Sequence, residues 1–135
     1  MHIEELIKKS HGMAKSKGFW EAPDRNVPEM LMLIVSELAE ALEALRKEKY
    51  AVSTVSSDLH SDLQINAFDE EFDYNPGQWK EAFESTIKNS FEDELADVAI
   101  RLFDLCGGLK IDLAKHIELK MHYNSTRGYK HGKKF

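Results

Sequence analysis

The stretch Glu92-Asp-Glu-Leu-Ala-Asp-Val-Ala-Ile-Arg-Leu-Phe-Asp-Leu105 sets its apolar residues at helical, not alternating, spacing. It predicts a helix from about Phe91 to Cys106, closed by Gly107 and Gly108. Apolar residues cover more than half of its circumference as far as Leu109, which makes it the expected central helix, with part of that surface available to an oligomer contact. A second stretch, Ile34-Val-Ser-Glu-Leu-Ala-Glu-Ala-Leu-Glu-Ala-Leu45, has the same character. It lies in a helix expected from Pro28 to about Lys47, with Pro28 in the first turn and Glu29 near the positive end. Leu31, Ile34, Leu38, Leu42 and Leu45 form its apolar stripe.

Working outward, a first helix is expected over about Ile3–Lys17, stopped by Gly18, and Trp20 to Val27 is a connecting loop. Between Tyr50 and Gly77, Ser, Asp and Asn are scattered and no regular element is assigned. A short helix is expected from about Gln78 to Ile87, and a last one from an Asp112 cap to about Thr126, followed by a basic tail over about 128–135. No segment alternates convincingly as a strand, and there is no repeat. The expected fold is therefore all-α, a four- to five-helix bundle forming one domain over 1–135, with a long acidic insertion over about 50–77.

A chain of 135 residues can bury a core of its own. Charged residues make up 31% and hydrophobic residues 42%, a balance that argues against disorder. The longest apolar run, Met30 to Val35, is far too short to cross a bilayer, and the N-terminal stretch has no apolar signal core. A cytoplasmic location is the expectation. Cys106 is the single cysteine, which excludes an intramolecular disulfide and a multi-cysteine metal site. The net charge of −6 argues against a nucleic-acid polymer as partner. Its distribution is uneven: Asp58 to Glu94 holds eleven acids and two bases, whereas Leu113 to Phe135 holds six bases and one acid.

Two acidic pairs stand out, Glu37 with Glu40 and Glu94 with Asp97. Residues three apart are neighbours on a helix surface. Both pairs enclose Leu-Ala, and both flank the stripes of the two most apolar helices, so packing those helices brings four carboxylates into one partly buried cleft. Carboxylates so placed raise one another's pKa unless a cation intervenes. Hard Mg²⁺ takes oxygen ligands and is often completed by phosphates. No Glu-x-x-His pair occurs, which disfavours a di-iron bundle, and there is no glycine-rich phosphate loop. On the last helix His116, Lys120, Asn124 and Arg127 share one face, which by itself reads as an ordinary exposed polar stripe.

Glu37-x-x-Glu40 followed by Glu94-x-x-Asp97 resembles the two-part acidic signature of MazG-like all-α nucleoside triphosphate pyrophosphohydrolases. The resemblance extends through Pro28 to Lys47 and Phe91 to Lys134, including Lys120-Met-His-Tyr-Asn-Ser-Thr-Arg127, and more loosely through Ile3 to Lys17. It implies Mg²⁺, with Mn²⁺ as a substitute, held by Glu37, Glu40, Glu94 and Asp97, which would also be the catalytic residues. It implies hydrolysis of a ribo- or deoxynucleoside triphosphate to monophosphate and pyrophosphate, in house-cleaning or control of the nucleotide pool. Lys120, Asn124 and Arg127 become substrate ligands, and His11 and Trp20 become candidate contacts to the base. Relatives assemble as homodimers or homotetramers, which is the expectation here. Two departures are visible: Ser36 stands where many members carry a further Glu, and the stretch between Glu40 and Glu94 is longer than usual. They favour an alternative, a non-catalytic helical interaction module that keeps the fold.

Overall fold

The structure, a computed structural model, describes residues 2–66 and 75–134. It holds α1 (Ile3–Ser16), α2 (Val27–Arg46), α3 (Ser53–Asn66), α4 (Pro76–Thr86), α5 (Phe91–Gly108), α6 (Leu113–Ser125) and a 3₁₀ turn at Tyr129–Gly132. No strand occurs among the described residues. Among the described residues the fold is all-α, with six helices where four or five were expected. The additional one is α3, inside the stretch Tyr50–Gly77 to which the sequence alone assigns no element. The acids from Asp69 to Asp73, part of the expected insertion, lie outside the described residues.

Local chemistry accounts for the helix starts. Asn75 caps α4 by accepting hydrogen bonds from the Gly77 and Gln78 N–H groups, both at 3.1 Å, and Pro76 takes the first helical position. Asp112 caps α6 by accepting from the Lys115 N–H at 3.1 Å. At the start of α5, Ser90 Oγ accepts from the Asp93 N–H at 3.2 Å, and the Asp93 carboxylate accepts from the Asn89 N–H at 2.8 Å. In α3, which is rich in serine, Ser56 and Ser61 donate to carbonyls one turn back, so these hydroxyls do not compete for the helix's own N–H groups.

The chain divides into two compact units, Met1–Met30 with Ile100–Phe135, and Leu31–Ala99. In the first, α1 packs on α6, and Leu105 and Cys106 are buried. The expected stop at Gly107 and Gly108 is not one, because α5 runs through both glycines, with His11 and Trp20 packed on them. In the second unit α3 packs on α4. Trp79 stacks on Phe83 with centroids 5.5 Å apart and donates its indole N–H to the Leu59 carbonyl at 3.2 Å, beside buried Leu59.

Helix α2 departs from expectation in the face it buries. Glu37, Ala41 and Ala44 are turned inward, whereas Leu31, Leu38, Leu42 and Leu45 of the expected stripe are exposed. Small alanines allow close approach of a neighbouring backbone, and the larger leucines remain outside.

Candidate metal centre

Within the Leu31–Ala99 unit, α2 supplies Glu37 and α5 supplies Glu94 and Asp97. One carboxylate oxygen from each lies within 4.8 Å of the others. Glu37 and Glu94 retain only 7% and 5% of their exposure, too little for water to solvate two full charges, while Asp97 is exposed. Glu40, one turn beyond Glu37, stands outside this trio but shares a hydrogen bond with the Glu94 carboxyl. All four expected carboxylates therefore meet, three as a potential ligand set and the fourth through Glu94.

Electrostatics single out Glu94. Burial first, then the charge and hydrogen bond of Glu40, then Asp93 and Asp97, push its pKa up to about 7. Below about pH 7 the Glu94 carboxyl keeps a proton, which relieves its repulsion with Glu40. The donors are all hard carboxylate oxygens, a set suited to a hard divalent cation. Ser36 takes no part, since it is exposed and its hydroxyl donates to the Leu33 carbonyl at 2.6 Å.

The Met1–Met30 and Ile100–Phe135 unit holds the other expected residues. His11 and Trp20 meet edge to face with ring centroids 5.0 Å apart. Both are bound to Asp104, a residue that its sequence context does not single out. His11 Nδ1 lies 2.9 Å and the Trp20 indole N–H 2.8 Å from Asp104 Oδ1, and Arg25 donates to Oδ2 at 3.1 Å. Arg25 also lies over the Trp20 ring, 4.7 Å from its centroid. Asp104 is buried, and three partners satisfy a charge that would otherwise be costly there. The cluster holds α1 and the loop after it against α5.

Lys120 on α6 lies 4.9 Å and Arg127, just past its end, 5.7 Å from the centre of the Tyr123 ring, so Tyr123 gathers two of the expected substrate contacts. Asn124 lies between them in sequence, and its Oδ1 is buried without a hydrogen-bond partner. Leaving an acceptor so costs about 1–3 kcal/mol, a deficit that a donor such as a sugar hydroxyl relieves. Trp79 is a packing residue between α3 and α4.

No helix among the described residues is long and apolar enough to cross a membrane. Compared with family models, curated proteins and solved structures, the chain matches none.

Proposed function

We propose that this chain is a Mg²⁺-dependent nucleotide pyrophosphohydrolase of the MazG-like type, cleaving a nucleoside triphosphate between the α and β phosphates. The observation that carries the reading is the cluster of Glu37, Glu94 and Asp97, drawn from two helices, two of its members buried and Glu94 with its pKa raised to about 7. Acids on a solvated helix face need no such arrangement. Burying carboxylates costs stability, and a bound cation would offset part of that cost.

A cation bound there supplies neutralisation of phosphate oxygens and lowers the pKa of a coordinated water. The chain's own part is orientation. Glu37 and Glu94, both buried, would fix the ligand positions, and Glu40, hydrogen-bonded to Glu94, would hold that carboxyl in place. In the net reaction water adds to the α-phosphorus, the α–β bridging P–O bond breaks, and pyrophosphate departs with the bonding pair. The resemblance implies substrate contacts for His11, Trp20, Lys120, Asn124 and Arg127, which belong to the other unit. Mn²⁺ would substitute for Mg²⁺.

The test is pyrophosphate release from a panel of ribo- and deoxynucleoside triphosphates, with Mg²⁺ and with chelator, in wild type and Glu94→Gln. We expect metal-dependent release and a loss of at least about a hundredfold in the variant, as for removal of a group that stabilises the transition state. Silence of the wild type over the whole panel, with Mg²⁺ and Mn²⁺, would sink the reading in favour of the non-catalytic module.

A further inference from the structure

Beside the carboxylates, in the same unit, opens a cavity of about 460 Å³ lined by Glu40, Glu43, Lys47, Lys49, Asn89 and Glu94. Its lining carries both charges, three acids and two lysines. Glu40 and Glu94 belong to the acidic centre, and Lys47 and Lys49 stand just past the end of α2. Their placement follows from the backbone. The Glu48 N–H bonds to the Leu45 carbonyl at 3.0 Å and the Lys49 N–H to the Ala44 carbonyl at 2.9 Å. These bonds close α2 around Glu48 at φ +53°, a conformation normally left to glycine. The reversal at Glu48 lets Lys47 and Lys49 line one cavity rather than opposite sides of a continuing helix. The segment is then tied to α5, since the Phe91 N–H donates to the Lys49 carbonyl at 2.8 Å and the Ala51 N–H to Glu92 Oε2 at 2.8 Å. Glu92 accepts that bond with its pKa held below the ordinary carboxylate value, chiefly by the bond itself.

We propose that Lys47, Lys49 and Asn89 form an anion subsite that takes the leaving diphosphate end of the substrate, and so the pyrophosphate product. The inference rests on the pyrophosphohydrolase reading and deepens it by assigning the second half of the polyphosphate a place. A cavity lined by both carboxylates and lysines fits a ligand that is a polyanion joined to a cation. The acids select the cation and the ammonium groups select the phosphate oxygens it does not reach. Lys47 stands 3.3 Å from Glu43 on the cavity's edge, an exposed pair with little net stability of its own. Exchanging Glu43 for phosphate therefore costs little. The resemblance points to Lys120, Asn124 and Arg127 for substrate, whereas nothing in the sequence marks the two lysines at the end of α2.

The test is calorimetric titration of pyrophosphate with saturating Mg²⁺ into wild type, Lys47→Ala/Lys49→Ala and Glu43→Gln, beside Mn²⁺ affinity without pyrophosphate and KM and kcat for a triphosphate. Losing two charge-assisted contacts should weaken pyrophosphate binding by about tenfold or more. KM should rise with it, while Mn²⁺ affinity and melting temperature stay at wild-type values. Glu43→Gln, which frees Lys47 and removes a like charge, should tighten pyrophosphate severalfold. Wild-type pyrophosphate affinity in the double variant would overturn the subsite while hydrolysis, if present, upheld the function. An equal loss of Mn²⁺ affinity would also overturn it, because the lysines would then act through the acidic centre. No hydrolysis and no pyrophosphate binding by wild type would remove the subsite together with the reading beneath it.

Discussion

Glu94 concentrates the energetics of the acidic centre in one carboxyl. Its ordinary pKa of 4.5 is raised to about 7 in the folded protein, by burial above all. The folded state thus binds a proton that the unfolded state has already released between those two values, so stability is full below about pH 4.5 and is lost as pH rises toward 7. We predict that the metal-free protein loses on the order of 1–3 kcal/mol across that window from this group, since each tenfold change in proton affinity is worth about 1.4 kcal/mol. Glu94→Gln should remove that slope and melt higher than wild type at pH 8 in chelator. A cation must displace the same proton, so Mg²⁺ affinity should fall about tenfold per pH unit below 7 and level off above it. Melting curves from pH 4 to 9, with chelator and with Mg²⁺, measure both effects. Parallel pH profiles for wild type and Glu94→Gln would refute the account of this site.

At the scale of the helix, Gly107 and Gly108 decide how α1 meets α5. A Cβ at Gly107 would stand 2.6 Å from the His11 Cβ, and one at Gly108 would overlap the Trp20 indole. Each glycine costs about 1 kcal/mol of helix propensity against alanine, a cost retained so that His11 and Trp20 can reach Asp104. We predict that Gly108→Ala destabilises by about 1–3 kcal/mol in urea unfolding despite its better propensity, because overpacking outweighs it. A more stable variant would show that the indole does not rest there. The same pair illustrates what a sequence discloses. Asp112 and the apolar spacing of α2 and α5 mark helices by local chemistry, and those helices begin within a residue or so of where they were expected. The three-residue spacing of Glu37/Glu40 and Glu94/Asp97 is local too, and the carboxylates do converge. Helix α3 was not legible, since Ser53, Ser56, Ser57, Asp58, Ser61 and Asp62 read as turn formers. Asp104 was not legible for another reason. Its three partners lie 79 to 93 residues away, and a lone acid on an apolar helix gives no sign of them.

For the molecule as a whole, the balance of apolar surface bears on assembly. Among the described residues, the buried apolar side chains are Met30, Ala41, Ala44, Leu59, Leu105 and Cys106, a thin core for a chain of 135 residues. Meanwhile Leu31, Val35, Leu38, Leu42 and Leu45 of α2 are each 42–50% exposed. They recur at intervals of four and three residues, the seam by which helices of separate chains interlock. The homodimer or homotetramer we propose would cover this seam, each half-exposed leucine adding about 1 kcal/mol on burial. We predict scattering masses of two or four chains at micromolar concentration and a melting temperature that rises with protein concentration. Leu38→Glu/Leu42→Glu places charges in the seam without touching the inward Glu37, Ala41 and Ala44. It should yield monomers and a melting temperature independent of concentration. If the double variant instead keeps the wild-type mass, α2 is not the seam, and the thin core must be completed through another face. If wild type itself is monomeric at every concentration, these leucines are a standing cost in apolar exposure, and the proposed assembly is excluded.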